Sequence, residues 1–297
     1  MPIIDLHCHV FPYQPEKYLS GAARDRVKKG LRPLSRLLHQ AKPWVRLLPG
    51  TLRKGLSPVE KFLAVPFLAA ESNEADFDRA MKSAAVSHAV VIAHSGSIPN
   101  DFVLDLSKRH ANWFPAVNLG TDGTPERLRQ YHGHGAKFLK IHAEWDGKGA
   151  DFETYLRLLR EADSLGMPVI LHLDSHAPDS LTPYRAWFEK HSSVPFFIAH
   201  MNLDAPEAAF DVMEKYPNVL CDTSWQPVES IVEAVRRVGS ERIFFGSDWP
   251  LMGDNIAIGI ERIGDAAQSG FISNEDAENI FYRNATRLLT RLGEFSP

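Results

Sequence analysis

Eight short, apolar, β-rich runs punctuate this chain, and stretches of helical periodicity separate most of them. The runs cover 2–7, 88–94, 113–118, 136–141, 168–173, 195–200, 218–222 and 242–246. Apolar spacing at three and four residues predicts helices over 74–86, 100–110, 125–132, 151–165, 182–191, 206–216, 228–238 and 255–268. Asn73 is placed to cap the first of these, and Pro125 and Pro206 suit first-turn positions. Strands alternating with helices demand a parallel sheet, and eight such units close into a (β/α)8 barrel, the TIM-barrel class of α/β fold. The 297 residues suit one such domain spanning 1–297. Two short helices, 273–282 and 284–292, complete the pattern.

Residues 11–70 break this rhythm, with seven prolines between Pro12 and Pro66 and leucine pairs at Leu37-Leu38 and Leu47-Leu48. An insertion after the first strand emerges at the carboxyl end of the barrel, where loops build active sites. It reads as a lid of short helices, or equally as a subunit contact in a homo-oligomer. Residues 11–62 hold 12 Lys/Arg against 3 Asp/Glu, although the whole chain carries a net charge of −4. Such a segment could meet an anionic ligand, an acidic surface or a membrane; a solvated excursion with no partner is the preferred reading.

The ends of the apolar runs carry the chemistry. Asp5-Leu6-His7-Cys8-His9 ends the first, and strand alternation sets His7 and His9 on one face, with Asp5, while Leu6 and Cys8 take the other. With 13 histidines in the chain, chance supplies roughly 0.6 His-x-His pairs, so this pair alone proves little. His132-Gly133-His134 serves as the control, read as a connecting loop with no metal role. The first pair gains weight because the fifth, sixth and eighth runs end at His172, His200 and, after Gly246-Ser247, Asp248. His94, Asn118, His142, Trp145, Asp174, His176 and Trp225 also lie at or just past run ends and are candidates to line a pocket.

Several function classes are excluded. No run approaches the 18 or so uncharged apolar residues of a membrane span. No basic-then-apolar leader opens the sequence, since Asp5 and His7 interrupt it. Cys8 and Cys221 both fall in predicted strands, which excludes a disulfide scaffold and fits a reducing cytosol, so a cytoplasmic location is expected. The negative net charge disfavours nucleic acid as a partner.

Taken together, Ile4-Asp5-Leu6-His7-Cys8-His9-Val10-Phe11-Pro12, the fifth- and sixth-strand histidines, Phe245-Gly246-Ser247-Asp248-Trp249-Pro250 and Asn284-Ala285-Thr286-Arg287-Leu288-Leu289 resemble the amidohydrolase superfamily. The resemblance is to its amidohydrolase-2 branch of metal-dependent hydrolases and decarboxylases, with Trp249 where Tyr is more usual. It implies one divalent metal, zinc by ligand type, held by His7, His9, His172 and Asp248. It also implies that Asp248 takes the proton of a metal-activated water and that His200 polarises the substrate carbonyl. Lys140, near the end of the fourth run, has two readings. Carboxylated, it would bridge a second metal bound by His200; unmodified, it would meet a substrate carboxylate or pair with Glu144. The implied activity is hydrolysis of an amide, lactone or ester bond in a small, anionic substrate. The alternatives are non-oxidative decarboxylation of an unsaturated or aromatic acid and a metal-stabilised binding barrel without catalysis.

Overall fold

Each apolar run becomes a strand because its branched and aromatic side chains pack on both sides at once, inward on the barrel axis and outward under the helices. In the computed structural model, which describes residues 2–13, 20–48, 52, 62–173 and 179–294, the strands are β1 Ile3–Cys8, β2 Val86–Ile92, β3 Trp113–Asn118, β4 Phe138–His142, β5 Val169–His172, β6 Phe196–Ile198, β7 Val219–Asp222 and β8 Ile243–Phe244. All neighbouring pairs are parallel and follow chain order. Backbone bonds between the first and last strands close the ring: Leu6 N donates to Phe245 O at 2.9 Å, and His9 N to Trp249 O at 2.7 Å.

The helices are α1 Gly21–Arg46, α2 over 62–70, α3 Glu74–Ser83, α4 Asn100–Arg109, α5 Pro125–Gly133, α6 Ala143–Asp146, α7 Glu153–Ser164, α8 Arg185–Lys190, α9 Pro206–Lys215, α10 Val228–Val238, α11 Asn255–Gln268, α12 Asn274–Glu278 and α13 Asn284–Arg291. Asn73 forms a reciprocal capping box with Asp76, and Thr124 caps α5 ahead of Pro125. His132 and His134 fall at the end of α5, leading into β4 at the amino end of the barrel. The control pair therefore belongs to a helix terminus rather than to a free loop.

The core has two layers. Ile4, Leu6, Val90, Ile92, Phe114, Phe138, Ile170, Phe197 and Phe244 fill the barrel interior, joined by Ala285, Leu288 and Leu289 of α13. Asn284 Nδ2 donates to the carbonyls of Ser240 and Ile243, both at 2.7 Å, which ties α13 to the entry of β8. That plug leaves the opposite, carboxyl end for chemistry.

Two expectations need correction. Strict alternation would set Asp5 beside the imidazoles of His7 and His9. The β1–β2 register instead slips between Asp5 and Cys8. Leu6 joins Ile4 inside the barrel, and Asp5 turns to Ser247, whose Oγ donates to it at 2.6 Å. An irregularity of this kind re-aims side chains next to a site.

The insertion is the second correction. Its first half is one 26-residue helix, α1, with Pro33 and Pro43 inside it, rather than a set of short helices. Several of its basic residues are paired with carboxylates rather than left as a solvated excursion. Arg24, Lys28, Arg32 and Arg36 recur every four residues, so they share one helix face. Arg24 pairs with Asp76, Lys28 with Glu71 (2.5 Å), Arg32 with Asp254 (3.1 Å) and Arg36 with Glu261 (2.8 Å). Lys42 continues the series to Asp204 at 3.1 Å. The positive segment is therefore the counter-surface to an acidic barrel rim, while Leu37, Trp44 and Leu47 face outward.

The rungs of this ladder differ in burial, and their energies should differ accordingly. Arg24 and Asp76 are both buried, whereas Arg36 and Glu261 are each about half exposed. Arg24→Ala should cost about 3 kcal/mol by leaving a buried carboxylate underpaired, and Arg36→Ala at most about 0.5 kcal/mol. Urea midpoints of the two variants test this; equal losses would mean that burial does not grade the ladder.

Candidate metal centre

The carboxyl ends of β1, β4, β5, β6, β7 and β8 deliver polar side chains to one place. His7 and His9 come from the end of β1. Their Nδ1 atoms are tied from behind: that of His7 to Asp222 Oδ2 at 2.9 Å, and that of His9 to the Ile92 carbonyl at 3.0 Å. A nitrogen that donates to a carboxylate or carbonyl carries the proton, so each Nε2 presents a lone pair. Both lone pairs face the same oxygen. Asp248 Oδ1 lies 3.6 Å from His7 Nε2 and 3.3 Å from His9 Nε2. His7 Nε2 has no hydrogen-bond partner among the described residues. Three electron-rich atoms converging in a buried site repel one another unless a cation lies among them, so the donor set fits a divalent metal.

His200 belongs to the same group: His7, His200 and Asp248 each offer a ligand atom within 4.8 Å of the others. His172 stands one step back. Its Nδ1 contacts His200 Nε2 at 3.2 Å, and its Nε2 faces Glu144 at 3.5 Å. The geometry thus draws His200 closer to the expected ligands than His172.

Lys140 of β4 is 2% exposed, and its Nζ has no hydrogen-bond partner among the described residues. The expected pairing with Glu144 is not made, since that carboxylate faces His172 instead. Burial pulls the Lys140 amine down to about 8, against a partial pull upward from Asp248 and Asp222. Burial, the largest cause in each case, also lowers the titration of His7, His94, His142, His172 and His200. His94 falls to about 4, and His142 and His200 drop well below the ordinary value. Those five histidines are thereby favoured in the neutral form, the state a metal ligand requires.

The remaining candidates sort into wall and scaffold. His94 bonds Ser97 Oγ through Nδ1 at 2.9 Å and meets Trp145 edge-on at 4.9 Å. His142 stacks on His172 with ring centres 4.0 Å apart. Together they line the β2–β5 side of the opening, with Trp145 largely exposed above them. Asn118 is a turn former: its Oδ1 accepts from Gly120 N and its backbone pairs with Asn100. Trp225 gives its Nε1–H to Asp248 Oδ2 at 2.7 Å, so it serves the carboxylate directly. Asp174 and His176 lie outside the described residues.

Two contributors escaped sequence reading. Asp222, at the end of β7, is buried and holds His7. Its Oδ2 also accepts from His200 N at 3.2 Å, and its Oδ1 from Ser224 N at 3.0 Å. Burial alone would raise its titration, but the two histidines and these bonds hold it far below the ordinary carboxylate range. Val219-Leu220-Cys221-Asp222 has the same apolar-run-to-ligand form as the other strands, which was the available signal. His39 of α1 is the second, and no local pattern announces it.

Gly246 is required where it stands. A Cβ there would meet Asp222 Oδ1 at 2.9 Å and His7 Cβ at 3.0 Å, so the backbone of the β8 exit lies directly against His7 and the carboxylate that anchors it. His200, Trp225 and Asp248 all adopt left-handed backbone, at φ 55°, 64° and 58°, a conformation that L-residues keep only when the surroundings enforce it.

Known proteins share this fold and this family. Among curated sequences nothing matches significantly. A probable 2-pyrone-4,6-dicarboxylic acid hydrolase from Acinetobacter baumannii, with citric acid bound, superposes with a TM-score of 0.61 at 14% identity, covering 98% of this chain and 100% of that one. An amidohydrolase from Burkholderia multivorans with bound zinc gives 0.62 at 14% identity, covering 98% and 99%. 5-Carboxyvanillate decarboxylase from Novosphingobium aromaticivorans, complexed with manganese and 4-hydroxy-3-methoxy-5-nitrobenzoic acid, gives 0.57 at 16% identity, covering 72% and 79%. At these identities the structures speak for the fold. The sequence itself matches the family model described as Amidohydrolase over residues 4–291, and the chain belongs to the amidohydrolase family.

Proposed function

We propose that this chain is a metal-dependent hydrolase that cleaves an amide, lactone or ester bond in a small, carboxylate-bearing substrate. The observation that carries the reading is the approach of His7 Nε2 and His9 Nε2 to a single oxygen of Asp248, with both Nδ1 atoms tied back. His7, His9 and Asp248 would hold one ion, with His200 the nearer and His172 the more distant candidate for a further nitrogen, and the imidazole and carboxylate set suits zinc. Such an ion supplies Lewis acidity and acidifies water to a pKa of about 7.

The chain's own residues do the rest. Asp248, buried and held deprotonated, is the group that accepts a proton from water and returns it to the leaving atom. His200, anchored by Ser224 Oγ at 2.6 Å, faces the carbonyl under attack. Lys140 supplies an uncompensated cation in a wall of neutral imidazoles, which suits a substrate carboxylate. His94 and His142 bound the opening on the opposite side from Trp225.

The same cation favours a second reading, decarboxylation of an aromatic or unsaturated acid, in which Lys140 holds the carboxylate that departs. The structural likeness to a manganese-bound decarboxylase supports keeping it. Turnover of a panel of lactones and amides without carbon dioxide release supports hydrolysis; carbon dioxide from aromatic acids with the panel untouched overturns it.

Protein purified without chelator should carry about one zinc per chain, measured by elemental analysis. His7→Ala should lose it, and His132→Ala should keep it. Asp222→Asn should weaken binding by about 10- to 100-fold, because the imidazole loses its orienting carboxylate. A metal content near two, with a mass adduct lost on acidification, would bring carboxylated Lys140 into the site.

Lys140 also predicts a stability cost. Its amine titrates near 8 in the fold against 10.5 ordinarily, so folding disfavours the charged form. The penalty is full below pH 8 and vanishes as the pH climbs to 10.5. Lys140→Met should therefore raise the melting temperature of metal-free protein at pH 7, with the gain shrinking across that window. A lower melting temperature at pH 7 would show that Lys140 is paired in solution.

A further inference from the structure

We infer that the inserted helix α1 positions Asp248: His39 clamps the Trp225 indole, and that indole holds one oxygen of the carboxylate so that the other faces His7 and His9. His39 is buried beneath α1, its ring stacked on Trp225 with centres 4.5 Å apart and planes 6° from parallel. Trp225 Nε1 reaches Asp248 Oδ2 at 2.7 Å, which leaves Oδ1 to the two histidines.

A second connection runs in parallel. Asn255 Nδ2 donates to the Asp248 backbone carbonyl at 3.2 Å, so its Oδ1 is the acceptor that meets His39 Nε2 at 3.4 Å. The proton of His39 therefore sits on Nε2, and its Nδ1 has no partner among the described residues. Burial, with Arg262 nearby, pulls His39 down to about 3, so the stacked ring is neutral.

Helix register is fixed around this contact. Arg262 donates to the His39 carbonyl and to the Gln226 carbonyl, both at 2.9 Å, joining α1 to the Trp225 loop. Arg36 and Lys42, three residues to either side, carry ladder pairs to Glu261 and Asp204. Trp225 itself sits in left-handed backbone, so the loop needs outside support to hold the indole there. A ring pair used only for packing would not explain why the indole edge ends on the Asp248 carboxylate and the imidazole edge on Asn255, which itself holds the Asp248 carbonyl. His39 is thus a positioning residue, acting on Asp248 through Trp225 and Asn255.

The metal-affinity part of this inference rests on the metal-site reading; the indole contact does not, and the test separates them. In full-length, metal-free protein with ¹⁵N-labelled tryptophan, the Trp225 indole N–H signal is assigned by its loss in Trp225→Phe. It should exchange with water slowly in wild type and about tenfold faster in His39→Ala. His39→Phe, which restores a flat ring, should recover most of the protection. The Zn²⁺ dissociation constant, from chelator competition, should rise about tenfold or more in His39→Ala and Trp225→Phe and fall back in His39→Phe. Indole exchange unchanged in folded His39→Ala overturns the proposal. So does Trp225→Phe binding Zn²⁺ as wild type does, a result that decides the matter even where His39→Ala fails to fold. If wild type takes up no Zn²⁺, the metal reading fails, and the indole exchange alone decides whether α1 holds Asp248.

Discussion

One buried carboxylate organises the centre. Asp222 holds His7 by its ring, His200 by its backbone amide and Ser224 by its amide, and all of these interactions are sheltered from water. Ser224 in turn reaches His200 Nδ1 at 2.6 Å. An unpaired anion at this depth would be costly, so each donor is worth more than its counterpart at the surface. The consequence is directional. With its back nitrogen committed, His7 can offer only Nε2 to the cavity, and the pocket chemistry is set by a residue that does not face it.

Much of this was legible in the chain. The eight runs carried the barrel, and their polar ends carried His7, His9, His172, His200 and Asp248, because in this fold a side chain at a strand's carboxyl end has only one place to go. Asp222 followed the same rule and was passed over because its run, Val219-Leu220-Cys221, is short and its carboxylate points behind a ligand rather than beside one. Period-two alternation failed at Asp5, where the register slips and Ser247, 242 residues away, captures the carboxylate. The partner that holds Asp5 lies in the closing segment, so period-two alternation along β1 alone does not register it.

The insertion was misread for a different reason. Its basic residues were counted as net charge, although the spacing of four at Arg24, Lys28, Arg32 and Arg36 already placed them on one face. A helix with a charged inner face and exposed Leu37 and Trp44 inverts the usual amphipathic pattern. Its partners, Asp76, Glu71, Asp254, Glu261 and Asp204, come from three separate stretches of chain that only the closed barrel brings to one rim. Local pattern reading sees the cations and not the surface that awaits them.

The seam where the barrel closes has a consequence for assembly. Asp248 N donates to His7 O at 2.7 Å, so two stretches far apart in sequence, the end of the first strand and the exit of the last, meet at the centre itself. During synthesis, His7 and His9 leave the ribosome some 240 residues ahead of Asp248, and a loop of that length must close before the three can share an ion. Until then the nascent chain holds the histidines of the proposed site without its carboxylate. The proposed centre can therefore form only after the last strand is in place, and an ion captured there would report a completed barrel.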